Sequence, residues 1–183
     1  MIDTPAPPEM ARLTPELTTL ARIVKEGYGS AAWHGPDLRT ALLGTVPEHA
    51  FWRPAPGRHN VAEVALHHAW YVRSVIEQLS GEPGDAFPLP GSDWFEISSE
   101  ESIAWAAILE LVERLHVRLS TLLDDFGAGR SHSPLPASEQ LNLVLGITGH
   151  AIYHAGQVQL LKALMQTDAW NPPSISYKAT TGA

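Results

Sequence analysis

The sequence predicts an all-α protein, a four-helix bundle with short extra helices between the first two long ones. Three observations carry this. Apolar residues recur at helical spacing in four long stretches, and capping and breaking residues punctuate their ends. No stretch alternates apolar and polar residues with the β-branched enrichment a strand needs. No single helix can bury its apolar stripe alone, so packing the four together is the economical architecture.

Residues 1–11 are Pro-rich and polar and read as a flexible N-terminal arm. A single domain is expected over 12–168, followed by a polar tail over 169–183 that contains Asn171-Pro172-Pro173. Thr14-Pro15-Glu16 opens the first helix, with Thr as N-cap, Pro at the first helical position and an acid in the first turn. That helix should reach about Tyr28. A loop through Trp33-His34-Gly35-Pro36 leads to a short helix over 37–43, and Pro47 starts another turn or two. Asn60 caps a long helix ending near Leu79 or Ser80, closed by Gly81. Residues 81–98 form a long loop rich in Gly and Pro, of the length that often carries function. Ser98 or Ser99 should then cap a helix over roughly 100–125, with Glu100 and Glu101 at its positive end. Ser138 should cap the last one, over about 139–166.

Composition narrows the function classes. A chain of 183 residues, 44% apolar and 17% charged, is globular and suits one domain. Its net charge of -8, with 12 scattered Lys and Arg, argues against a nucleic-acid partner. The absence of Cys removes disulfides, thiolate zinc ligands and thiol nucleophiles together. Met1-Ile2-Asp3-Thr4 lacks the basic start and apolar run of a signal peptide, and no stretch approaches the roughly 20 apolar residues of a membrane span. A cytoplasmic protein without membrane contact is expected.

Nine histidines are the compositional oddity, and four of them fall in two close pairs, His67–His68 and His150–His154. At about 100° per residue, His150 and His154 share a stripe with Leu143 and Leu161, which faces the interior. A spacing of i, i+4 brings two imidazoles one turn apart, within reach of one ion, although two core histidines satisfied by carbonyls or water would give the same pattern. On the 60–80 helix, His68 lies in the middle of the apolar side made by Val61, Val64, Val72, Val75 and Leu79. His67 lies on its margin beside Asn60, Glu63, Tyr71 and Ser74. Periodicity favours His68 as the buried residue, a polar cavity between helices would suit His67, and spacing alone does not choose between them.

Trp33-His34-Gly35-Pro36, His59 to His67, and His150-Ala151-Ile152-Tyr153-His154-Ala155-Gly156-Gln157-Val158 stand in an order and at separations that resemble the DinB/YfiT-like superfamily over about residues 14–166. The resemblance implies a four-helix bundle, usually a homodimer, with a divalent metal held by one His of the second long helix and an HxxxH pair of the last. Carried onto this chain, the ligands are His67, His150 and His154. Such proteins usually have a core aliphatic where His68 stands, so His68 is a departure.

Three neutral imidazoles favour Zn, Ni or Fe over Mg or Ca, and three protein ligands leave a position open for chemistry. Glu63, one turn before His67, is a candidate base or a group that orients the imidazole. Trp33, His34 and Trp94 are loop candidates for substrate contact, with Trp94 as a lid, and Gln157 is placed to bind a ligand or water. His49, His59, His116 and His132 lack metal-ligand spacing and read as surface or packing residues. No phosphate loop, nucleophile elbow or Glu-x-x-His di-iron pattern is present. The resemblance implies a metal-dependent enzyme acting on a small molecule. The activity it implies is that of a thiol-dependent S-transferase using bacillithiol or a similar low-molecular-weight thiol as cosubstrate, or of a related hydrolase. The alternative is a non-catalytic metal-binding stress or ligand-binding protein.

Overall fold

The protein is described by a computed structural model, which covers residues 15–29, 32 and 34–166. Among the described residues all regular structure is helical: α1 (Pro15–Gly27), α2 (Leu38–Leu42), α3 (Pro47–Ala50), α4 (Val61–Ser80), α5 (Trp105–Gly127) and α6 (Ala137–Gln166). The expected arm over 1–11 and the tail over 169–183 lie outside the described residues, as does Trp33. The four long helices close a ring in which α4 packs on α5, α5 on α1, α1 on α6 and α6 on α4; α2 lies against α6 and α3 against α4.

Local chemistry fixes most boundaries. Asn60 and Glu63 form a reciprocal capping box at the start of α4, and Gly81 ends that helix in the left-handed conformation (φ 73°) that only glycine adopts without cost. Asp37 caps α2 through the Thr40 N–H. Two starts differ from the sequence expectation. Helix α5 begins at Trp105 after Ala104, not near residue 100, and its N-cap makes no side-chain bond. The Glu100 carboxylate instead accepts from the Trp105 N–H at 3.0 Å, so the acid serves the helix end from outside it. Helix α6 starts at Ala137, directly after Pro136, which places Ser138 inside the first turn rather than at the cap.

The core runs through Leu66, Ile76, Leu79, Ile108, Leu119 and Val158, all essentially free of solvent contact. Helix α4 is buried on every side from Val61 to Ala69, because α5, α6, α3 and the following loop surround it. That loop is pinned, not free. Trp70, Phe87 and Phe95 form an aromatic cluster with centroids 4.8 to 5.9 Å apart. The backbone of Ile97 is held by Glu63, Asn60 and Arg53. No helix of the described residues is long and apolar enough to cross a membrane.

Candidate metal centre

The α4–α6 interface and the pinned loop together assemble three imidazoles. His67 comes from α4, His150 and His154 from α6. The Nε2 of His150 lies 3.1 Å from Nε2 of His67 and 3.0 Å from Nε2 of His154. Candidate ligand atoms of all three residues fall within 4.8 Å of one another, so the group could hold a metal ion. Two Zn–N bonds of about 2.0–2.1 Å span roughly 3.4 Å at a tetrahedral angle and roughly 3.0 Å at a right angle, so the observed spacings need little adjustment to share an ion.

The other nitrogen of each ring decides which lone pair points inward, and each has a partner. His154 Nδ1 donates to Oε1 of Gln157 at 2.6 Å, and Gln157 in turn donates to the Tyr153 hydroxyl at 3.0 Å. His67 Nδ1 donates to the Asp93 carbonyl at 3.1 Å and lies 3.0 Å from its carboxylate. His150 Nδ1 is 2.9 Å from Nδ1 of His68. The oxygen acceptors behind His67 and His154 fix those two tautomers and raise ligand basicity, whereas His68 can offer His150 either a donor or an acceptor. Burial, with His154 and His67 nearby, pushes His150 down to about 3. Burial likewise takes His154 to about 4 against the Gln157 bond, and lowers His67 against the pull of Asp93. All three rings are therefore neutral near pH 7, the form in which imidazole binds metal.

Aromatic rings rim the site. Trp94 is stacked on His67 at 3.8 Å and on His59 at 3.6 Å, sandwiched between them. Tyr71 meets His67 and His150 edge-on or tilted, at 5.0 and 4.9 Å. The nearby Asp93 carboxylate raises the Tyr71 hydroxyl above its ordinary range. Tyr153 is 64% exposed and meets His154 at 5.2 Å.

Of the residues singled out in the sequence, the triad, Trp94 and Gln157 come together, while Glu63 and His34 serve elsewhere. Glu63 does not orient His67; that role falls to Asp93. The buried Glu63 carboxylate is held by both guanidinium nitrogens of Arg53, by the Ile97 N–H at 2.8 Å and by His59 at 3.0 Å. Burial alone would raise its pKa, but the bonds from Arg53, Ile97 and His59 outweigh that and hold it below the ordinary range. A carboxylate so engaged is an anchor for the loop. His34 Nε2 is bonded to the Glu26 carbonyl in the last turn of α1, at 3.1 Å.

Sequence reasoning missed Asp93 and His116. Asp93 left no periodic signal, being a loop residue in the left-handed region (φ 67°). His116 is a packing residue, one of the two expectations, and beyond that it lies 2.8 Å from His68. Its position, four after Val112 and three before Leu119 on the α5 stripe, was the available signal.

A family model, that of the DinB superfamily, matches residues 32–158, and the chain belongs to that superfamily. No curated protein and no solved structure matches it. An all-helical DinB-superfamily protein with a three-histidine group able to hold a metal ion is what fold and site define.

Proposed function

We propose that this protein is a metal-dependent enzyme that uses His67, His150 and His154 to hold Zn, Ni or Fe and transfers a low-molecular-weight thiol to an electrophilic small molecule. The observation that carries this is the convergence of three Nε2 atoms whose Nδ1 partners are all in place. A donor set of three neutral imidazoles fits a borderline transition metal and leaves coordination positions for a substrate. When bound, such an ion acidifies a thiol or water molecule and so supplies a nucleophile at neutral pH. The chain's own groups do the rest. Asp93, Gln157 and His68 hold the three rings in register, and Tyr71, Trp94 and Tyr153 offer aromatic edges and faces to a substrate. Hydrolysis of a small-molecule substrate is the same reading with water in place of the thiol.

One observation favours a second reading, a non-catalytic metal-binding stress or ligand-binding protein. His67 and His154 are only 6% and 2% exposed, and Trp94 lies flat on the former. Homodimer formation is also proposed, through the outer face of α6, where Leu145, Tyr153 and Leu160 are exposed beside Gly149 and Gly156.

The test is the metal content of the purified protein and of His67→Ala, His150→Ala and His154→Ala, followed by thiol conjugation to a model electrophile. Stoichiometric metal lost in each variant, with turnover only in the loaded parent, is the expected outcome. Metal retained in all three variants would remove the site, and loaded protein with no turnover of thiol or hydrolytic substrates would favour the second reading.

A further inference from the structure

Two further buried histidines, His68 and His116, lie outside the triad. His68 is wholly buried on α4, with Nδ1 2.9 Å from His150 Nδ1 and Nε2 2.8 Å from Nε2 of His116. His116, on α5, is stacked under Tyr28, the residue that follows α1, at 3.7 Å with the rings nearly parallel. Three imidazoles thus form one line through the bundle, from the metal centre on α6 across α4 to α5. Burial keeps His116 and His150 down to about 3 and His68 well below its ordinary value, so the line is neutral near pH 7.

A neutral imidazole carries one N–H and one lone pair. Every contact in the line needs one of each, so the line has a direction, and only two directions are self-consistent. In the first, His116 Nε2–H donates to His68 and His68 Nδ1–H donates to His150. The remaining proton of His150 is then on Nε2, where it bonds to Nε2 of His67 or His154 at 3.1 or 3.0 Å. In the second, His150 Nδ1–H donates to His68 and His68 Nε2–H donates to His116. That places a lone pair on His150 Nε2 and a proton on His116 Nδ1.

Without an ion the second direction aims three lone pairs at one another across about 3 Å, with no proton between them. With an ion the first direction is excluded, because a protonated Nε2 has no lone pair to give. We propose that the His150–His68–His116 line is a tautomer switch, in which occupancy of the metal centre reverses the direction of the line and puts a proton on His116 Nδ1 at the far side of the bundle. This rests on the reading of the triad as a metal site. The balance is neutral: one proton leaves His150 Nε2 for solvent, two move along the existing hydrogen bonds, and His116 Nδ1 gains one from water. His116 Nδ1 has no protein partner and is itself out of solvent contact, while its ring borders a cavity of about 120 Å³ with Tyr28, Glu113 and Ser120. The switch therefore requires a water to reach Nδ1 from that cavity, which is large enough to hold one, to supply the proton and then accept the bond. Metal occupancy thereby sets whether this second cavity is offered an acceptor or a donor.

The experiment uses the full chain labelled with ¹⁵N-histidine, whose ring nitrogens report directly which one is protonated. Spectra are compared without metal and with one equivalent of Zn(II), with His116→Gln to assign the signals. The expected result is that the His116 proton moves from Nε2 to Nδ1, and the His68 proton from Nδ1 to Nε2, on zinc binding. Zinc bound stoichiometrically with the His116 tautomer unchanged overturns the switch and leaves the metal centre standing. Failure to bind zinc overturns both. His68→Leu fills the buried position and cuts the line: zinc should still bind, with affinity about 10-fold weaker, and the His116 signals should no longer respond. A response that survives His68→Leu overturns the route through His68.

Discussion

His154 donates its Nδ1 proton to Oε1 of Gln157, three residues on, at 2.6 Å, and this bond turns its Nε2 lone pair toward His67 and His150. The amide nitrogen in turn donates to the Tyr153 hydroxyl at 3.0 Å. One turn of α6 thus supplies a ligand and the group that fixes its tautomer.

Replacing Gln157 with Leu should weaken metal binding about 10- to 100-fold, the range for removing a partner behind a ligating histidine. Gln157 is only half-buried, so the helical circular dichroism should not change. Competition with a chelator measures the affinity, and an unchanged constant would contradict the role given to Gln157.

Trp94 covers one face of His67 and is itself clasped by His59. Trp94→Ala should open the centre and speed extraction of metal by a chelator, while the triad variants fail to load at all. Stopped-flow chelation resolves the two behaviours. Equal extraction rates in the parent and Trp94→Ala would show that the ring does not limit access.

Glu63→Gln should cost stability. The Glu63–Arg53 pair is buried at the carboxylate end and partly exposed at the guanidinium, and it ties α4 to the loop that carries Asp93. Breaking a buried pair costs about 3–5 kcal/mol, and the residual hydration of Arg53 points to the low end of that range. Urea unfolding with linear extrapolation checks it. A change below 1 kcal/mol, as is usual for a surface pair, would show the anchor to be dispensable (about that limit for exposed pairs).

The metal-free protein should lose stability in mild acid. His116 has its pKa pushed down by burial to about 3 in the folded protein, against 6.5 for the unfolded side chain. Above pH 6.5 it is neutral in both states and adds no pH dependence. As the pH falls from 6.5 toward 3, the unfolded chain takes up a proton that the folded one refuses. The folded state is then disfavoured by up to about 1.4 kcal/mol per pH unit. Thermal unfolding followed from pH 7 to pH 4 should show the midpoint falling, and His116→Phe should make that fall shallower. A slope that the substitution leaves unchanged would assign the acid sensitivity to other groups.

The helices and their ends were legible because their causes are local. The Asn60 cap, the Gly81 stop and the Pro47 start each act within a turn of themselves. The misplaced start of α5 shows the limit: Ser98 and Ser99 are good caps by type, but the segment is drawn away by Ile97, whose backbone bonds to Glu63, Asn60 and Arg53. The HxxxH pair was legible for the same local reason, since helical spacing alone puts His150 and His154 on one stripe. Which of His67 and His68 completes the triad was not legible from spacing; the family resemblance pointed to His67, and His67 is the one that meets the pair. Both face inward on α4 and both are buried, His68 the more completely, as the helix pattern favoured.

By itself, then, the sequence determined the all-α class, the long helices and the stripe that holds two ligands. Tertiary structure decided how the faces meet. It sets His67 against α6 and the Asp93–Trp94 loop, while turning His68 toward α5, where His116 awaits it. The physical reason is that periodicity fixes a side chain's angle about its own helix axis. The rotation and offset of one helix against another, and the path of a pinned loop, come only from packing the whole bundle.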